Sequence, residues 1–157
     1  MFKNCTEADT LPRFQKSESG KTFAIELNAK ENFVCEIIDI EKCVLQNAGF
    51  PRCDWLFLVP KGRGVNEHVN IGKPKAYYVE LKGIDIYHAC EQLYNAIDRT
   101  KADILNFDIE AVIVSSIGRQ PEIANNKYYK KVKKMILKDI LIHKVHKGNS
   151  FKHLEKI

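Results

Sequence analysis

The chain has 157 residues, of which 45% are hydrophobic and 29% charged, and its formal net charge is +5. Such a length and composition are typical of one globular domain and exclude an intrinsically disordered protein. Because no apolar run is long enough to cross a bilayer and the first residues lack the pattern of a secretory signal, we expect a single cytoplasmic domain over residues 1–157.

The positive charge is concentrated in the C-terminal fifth of the sequence. Residues 127–157 contain ten lysines against two acidic residues, a net charge of +8, so the other 126 residues together carry −3. This asymmetry indicates a polyanionic partner that is held from one side. A lysine-rich helix face that only meets solvent would give the same pattern, and the sequence leaves both interpretations open.

The five cysteines favour free thiols over a disulfide or metal framework. Their number is odd, and no two of them have the C-x-x-C spacing of zinc or redox sites. Reduced thiols that act as small hydrophobic side chains are therefore expected at Cys5, Cys35, Cys43, Cys53 and Cys90.

Taken in chain order, the first predicted elements are strands. Residues 1–20 are polar and interrupted by Pro12 and Gly20, which predicts a loosely ordered N-terminal arm. Segments 22–27 and 33–40 are rich in β-branched and aromatic residues, and together they predict a β-hairpin.

Two further strands are predicted in the middle of the sequence. The apolar run 55–59 is halted by Pro60 and predicts a central strand. The basic, glycine-containing segment 61–75 predicts a wide hairpin tip. The segment 76–83 then predicts the next strand, with Tyr78, Glu80 and Lys82 on one face and Tyr77, Val79 and Leu81 on the other.

Helices and strands alternate in the second half of the chain. Asp85 is a favourable N-cap for the element that follows it. The spacing of apolar residues predicts a helix over 86–100, a strand over 110–116, a second helix over 127–140 and a last edge strand over 143–147. The element order predicts an α/β (α+β) fold, a mixed sheet with a central antiparallel β-meander flanked by helices.

Two acidic residues and a lysine are placed for metal-assisted hydrolysis. Asp54 opens one predicted strand and Glu80 lies on the next, so their carboxylates can meet and bind one hard cation such as Mg²⁺. Lys82 projects from the same face as Glu80, where an amino group can orient water or stabilise developing negative charge. Glu-x-Lys alone is a common tripeptide, and it is the context of two strands and a following helix that carries the prediction.

That context resembles the PD-(D/E)XK nuclease superfamily over roughly residues 33–116. The matching segments are Pro51-Arg52-Cys53-Asp54 and Val79-Glu80-Leu81-Lys82. The resemblance implies a restriction-endonuclease-like fold and a Mg²⁺- or Mn²⁺-dependent endonuclease acting on nucleic acid, with DNA as the expected substrate. It also implies a metal held by Asp54, Glu80 and the Leu81 carbonyl, with Lys82 as the catalytic lysine.

Two more site residues follow from the resemblance. Several members use a glutamine on the helix after the lysine, which implies a catalytic role for Gln92; an ordinary solvent-exposed glutamine is the alternative. Members also add an upstream acid, for which we expect Glu41 as a further metal ligand. Glu36, or no additional acid, is the alternative.

Nucleic-acid binding is predicted from the basic residues and from two tyrosines. The expected phosphate contacts are Lys127, Lys130, Lys131, Lys134 and Lys138 near the C-terminus and Arg63 in the hairpin tip. Tyr128 and Tyr129 can stack on bases or serve as core anchors. We expect a homodimer, and the competing functional hypothesis is a non-catalytic nucleic-acid-binding domain of the same fold.

Overall fold

Strands from both ends of the chain build a mixed α+β fold. The structure is a computed structural model that describes residues 2–9, 13–18, 20–26, 35–59, 74–144 and 151–156. Within these residues the strands are β1 (Thr6–Asp9), β2 (Arg13–Glu18), β3 (Lys21–Glu26), β4 (Cys35–Asp39), β5 (Trp55–Val59), β6 (Lys75–Lys82), β7 (Asp108–Ser115), β8 (Leu141–Lys144) and β9 (Phe151–Lys156). The α-helices are α1 (Ile86–Thr100) and α2 (Lys127–Ile136).

The larger of the two described sheets has six strands in the order β1-β4-β5-β6-β7-β8. β1, β4, β5 and β6 are antiparallel neighbours, whereas β6, β7 and β8 run parallel. The predicted central meander is therefore confirmed as β4-β5-β6. The crossover from β6 to β7 contains α1, as a parallel connection requires.

Both faces of this sheet are buried, each by a different layer. On one face, Leu56 and Tyr78 pack with Leu93 of α1 in a core that also contains α2. On the other face, Phe57 and Tyr77 lie beneath Phe23 of β3, whose ring centroid is 5.0 Å from that of Phe57. The predicted alternation of β6 is confirmed, but the face that carries Glu80 is as apolar as its opposite.

The prediction of a loosely ordered N-terminal arm is wrong, because β1 and β2 both lie within residues 1–20. The predicted hairpin between segments 22–27 and 33–40 is also wrong. β3 pairs with β2 and β9 in a second, three-stranded sheet, whereas β4 pairs with β1 and β5. Alternation and β propensity identify a strand but do not select its partner, so they cannot distinguish pairing between sequence neighbours from pairing with a distant strand.

The elements of the second half follow the prediction closely, with two exceptions. α1 has the predicted bounds, and β7 and β8 lie where strands were expected. α2 ends at Ile136 and not at 140, because Leu137 adopts the left-handed conformation (φ 58°) that commonly terminates helices. β9 was not predicted, and residues 145–147 of the predicted edge strand lie outside the described residues.

One disulfide contradicts the prediction of five free thiols. Pairing of β1 with β4 brings Cys5 beside the helical turn Ile40–Val44, where it is bonded to Cys43. Cys35, Cys53 and Cys90 are buried thiols that do not take part in a disulfide, as expected. No helix in the described part of the chain is long and apolar enough to cross a membrane.

Candidate functional site

The carboxylates of Asp54 and Glu80 lie side by side at one end of the β5–β6 pair. Trp55 is in register with Val79, so continuing the antiparallel pairing by one residue sets Asp54 opposite Glu80. The residues are only 7% and 2% exposed. The Leu81 amide donates a hydrogen bond to Asp54 Oδ2 over 2.8 Å. Because the N–H and C=O of one residue in an extended strand point to the same edge, the Leu81 carbonyl also lies on the Asp54 side.

Burial makes it costly for both carboxyl groups to ionise. It raises the pKa of Asp54 to about 7, against the hydrogen bond from Leu81. Burial and, secondarily, the negative charge of Asp54 raise the pKa of Glu80 to about 9, against the opposing effect of the Lys82 ammonium. Without a bound cation, the two groups together therefore retain about one proton at neutral pH.

Lys82 is held over this pair by Gln92. The Lys82 ammonium is 3.9 Å from Glu80 Oε1 and donates a hydrogen bond to Gln92 Oε1 over 3.0 Å. The amide group of Gln92 donates in turn to the Arg52 carbonyl over 3.1 Å. Gln92 is 8% exposed, so the alternative of a solvent-exposed glutamine is wrong. A single buried side chain on α1 thus links the lysine to the segment that precedes Asp54.

The upstream acid Glu41 does not lie on a strand. β4 ends at Asp39, whose side chain accepts a hydrogen bond from the Lys42 amide and caps the π-helical turn Ile40–Val44. The charge of Glu41 raises the pKa of both Asp54 and Glu80, which places Glu41 within electrostatic reach of the pair. Glu36 is in register with Leu58, towards the far end of β5, and does not belong to the site.

The side chain of Arg52 stabilises the turn Ile40–Val44 and the residues that follow it. Its guanidinium donates hydrogen bonds to the carbonyl groups of Glu41, Phe50 and Gln46 over 3.3 to 3.4 Å. Three carbonyl acceptors converge on one cation, so the turn and the segment before Asp54 are fixed relative to each other.

Glu18 is a site residue that the sequence interpretation missed. It is the last residue of β2, and its carboxyl group hydrogen-bonds Asp54 and contributes to the raised pKa of that residue. The polar composition of residues 1–20 predicts only a loose arm and gives no signal of a contact with Asp54. Only the pairing of β2 with β3, which packs on the larger sheet, brings Glu18 there.

The donor set fits a cation with few protein ligands. Among the residues that the structure describes, no three His, Cys, Asp or Glu side chains form a group that could hold a metal ion. However, Glu80 Oε2 is buried and has no hydrogen-bond partner. Mg²⁺ commonly binds one or two carboxylates and keeps waters or substrate phosphates as its other ligands. Asp54, Glu80 and the Leu81 carbonyl match that requirement without Glu41.

Of the predicted phosphate contacts, four form an exposed group on α2. Asn126 caps the helix by accepting hydrogen bonds from the amides of Tyr128 and Tyr129. Lys127, Lys130, Lys131 and Lys134 are exposed on it. Arg63, in the predicted hairpin tip, lies outside the described residues.

Lys138 and Tyr129 have structural contacts. Because α2 ends at Ile136, Lys138 turns away from the helix and forms ion pairs with Asp108 at 2.7 Å and Glu110 at 2.6 Å. These two ion pairs neutralise its charge, which argues against the predicted phosphate contact. Tyr129 is buried, and its hydroxyl donates to Asp139 over 2.9 Å. It is a core anchor and cannot stack on a base.

Comparison with known proteins finds no family model that matches the chain, and no curated protein or solved structure matches it either. We therefore infer chemistry from the side chains of the site and from their arrangement.

Proposed function

We propose that this chain is a divalent-metal-dependent endonuclease that hydrolyses phosphodiester bonds of nucleic acid, with DNA as the substrate. The proposal rests on one observation: two buried carboxylates, Asp54 and Glu80, lie next to each other with an unpartnered oxygen, and the amino group of Lys82 lies beside them. Two acids in a nonpolar setting are costly unless a proton or cation accompanies them.

The Asp54 and Glu80 carboxylates and the Leu81 carbonyl would hold Mg²⁺ or Mn²⁺. Such an ion neutralises charge that develops on the phosphate and lowers the pKa of a water molecule. Lys82 then stabilises negative charge in the transition state or orients the attacking water. Gln92 keeps the Lys82 amino group near Glu80, and burial excludes bulk water from the carboxylates.

The strand order supports the same proposal. An antiparallel meander has the acid directly before its second strand and Glu-x-Lys on its third, and then a helix leads to a parallel strand. This is the arrangement that the resemblance to the PD-(D/E)XK superfamily implies. We therefore propose a restriction-endonuclease-like core formed by β4, β5, β6, α1 and β7.

A specific observation favours a second candidate, a non-catalytic nucleic-acid-binding domain. With its pKa raised to about 9, Glu80 stays protonated at neutral pH unless a cation displaces the proton. A protonated Glu80 next to Asp54 needs no cation, as expected for a structural pair in a protein that only binds. The two candidates differ in whether the pair releases its proton to a metal.

Cleavage of supercoiled and linear DNA in Mg²⁺ or Mn²⁺ tests the proposed function. We expect nicking by the wild type, and a loss of at least about 100-fold in Asp54→Asn and in Lys82→Met. Lys101→Met, which removes an exposed lysine paired with Asp98 on α1, is the matched control and should cut like the wild type. If the wild type binds DNA but cuts neither DNA nor RNA, the binding-domain candidate replaces the nuclease.

A further inference from the structure

A cluster of two tyrosines and two lysines connects α1 to α2 at the surface. The ring centroids of Tyr94 on α1 and Tyr128 on α2 are 5.6 Å apart. The Lys131 ammonium lies 4.7 Å from the centroid of Tyr94 and 5.5 Å from that of Tyr128. The Lys127 ammonium lies 4.7 Å from the Tyr128 centroid. We call these four residues the tyrosine–lysine face.

The positive charges of this face are not neutralised. In the described part of the chain, neither Lys127 nor Lys131 forms an ion pair, and both are exposed. Other lysines near them differ in this respect, since Lys133 is 3.0 Å from Asp139 and Lys138 binds two carboxylates. The structure thus separates the C-terminal lysines into those with an acidic partner and those that are available to a ligand.

The rings also restrict where the two ammonium groups can go. Both tyrosines are half-buried and pack against the core between the sheet and the helices, so their positions are fixed. A cation over an aromatic face is attracted by the ring, which limits the freedom of a long lysine side chain. Ordering these lysines in advance lowers the entropy lost when an anion binds.

We infer that the tyrosine–lysine face is a docking site for the phosphate backbone of DNA. The inference rests on the proposed function in that it takes nucleic acid as the partner. Two fixed, unpaired ammonium groups bind phosphates by charge and position, independently of base sequence. Exposed Lys130 and Lys134 on the same helix extend the positive surface beyond the face.

The salt dependence of DNA binding tests this inference without requiring cleavage. The affinity for a labelled duplex is measured by fluorescence anisotropy at several salt concentrations, in EDTA and again in Ca²⁺. The slope of log K against log salt concentration is negative, and each lysine that contacts a phosphate adds about 0.9 to its magnitude. We expect Lys127→Gln and Lys131→Gln each to reduce the magnitude of the slope by about that amount. Lys3→Gln makes the same change in net charge outside the tyrosine–lysine face, next to the edge strand β1, and should leave the slope unchanged.

The tyrosines need a separate variant because they carry no charge. Tyr94→Leu combined with Tyr128→Leu should weaken DNA binding several-fold at constant salt while the protein still unfolds cooperatively.

The inference is overturned if Lys131→Gln keeps the wild-type slope, if Lys3→Gln reduces the magnitude of the slope equally, or if the double tyrosine variant binds like the wild type. Failure of wild-type binding in both buffers, or binding only to acidic protein or anionic lipid vesicles, overturns it too. Since no step depends on cleavage, a protein that binds as expected but never cuts contradicts the nuclease alone.

Discussion

At the scale of single residues, Glu80 dominates the chemistry of the site. Its carboxyl group is almost fully buried, lies beside Asp54 and has one oxygen without a partner. Asp54, Glu80 and Lys82 could be predicted because their spacing along two strands fixes which side chains share a face. Glu18 could not be predicted, because its contact with Asp54 depends on how a separate sheet packs.

The raised pKa values predict how stability depends on pH in the metal-free protein. The unfolded chain loses these protons near the ordinary values of 3.8 and 4.5, whereas the folded chain keeps them until about pH 7 and 9. Between these limits the folded state binds more protons, so its stability falls as the pH rises. Glu80→Gln imitates the protonated acid, and its Tm in EDTA should exceed that of the wild type by about 3–6 °C at pH 9 and equal it at pH 4.

Exposed Glu122 offers the matched control for that substitution. Glu122→Gln should differ from the wild type by the same small amount at every pH. A wild-type Tm that rises from pH 5 to pH 9, or a Glu80→Gln variant that is less stable than the wild type at pH 9, would contradict the assignment of a buried, protonated pair.

Gln92 is a positioning residue whose role can be separated from its contribution to stability. Gln92→Leu removes the hydrogen bond that holds Lys82 and leaves the Arg52 carbonyl without its donor. We expect kcat to fall about 10-fold with little change in KM, together with a loss of about 1–2 kcal/mol in the free energy of unfolding. Steady-state cleavage and urea denaturation measure the two effects.

Asn95 supplies the control for Gln92. It lies on the same helix and donates to the Pro51 carbonyl over 2.8 Å, but it does not contact Lys82. Asn95→Leu should cost a similar free energy of unfolding and retain kcat. If both variants lose kcat equally, Gln92 acts through the stability of the loop alone.

At the scale of elements, the turn Ile40–Val44 controls the surroundings of the acids. It is capped by Asp39, anchored by Arg52 and joined to the N-terminal segment by the Cys5–Cys43 disulfide. The sequence could not show this, because cysteines 38 residues apart carry no spacing signal. Elements with strong local patterns, such as α1, β5, β6 and β7, could be predicted, whereas the parallel pairing of β9 with β3 joins distant parts of the chain and has no local signal.

The disulfide predicts a measurable loss of stability on reduction. Closing a loop of 38 residues restricts the unfolded chain by an amount typically worth about 2–4 kcal/mol. Urea unfolding of the wild type should therefore shift to lower denaturant in dithiothreitol, and Cys5→Ser combined with Cys43→Ser should match the reduced protein. Equal midpoints with and without the reductant, or a count of five reactive thiols in the unfolded protein, would contradict the pairing.

At the scale of the whole molecule, the sequence predicted where the positive charge lies but not which lysines are free. In the C-terminal region of net charge +8, ion pairs neutralise Lys133 and Lys138. The ammonium groups of Lys127 and Lys131 instead lie above tyrosine rings. Charge counts cannot make this distinction, because they do not show which acids meet which lysines, and the partners of Lys138 come from the distant strand β7. The homodimer and the cytoplasmic location stay predictions.

Electron paramagnetic resonance of bound Mn²⁺ gives the most direct test of the claim that Asp54 and Glu80 form a metal centre. The wild type should bind about one Mn²⁺ with an affinity that increases from pH 6 to pH 9, as the cation displaces the proton of the pair. Glu80→Gln should lose this binding, whereas Glu122→Gln should keep it. A wild type that binds no Mn²⁺ at pH 9, or a Glu80→Gln variant that binds it equally well, would contradict the metal centre and leave the carboxyl pair with a structural role.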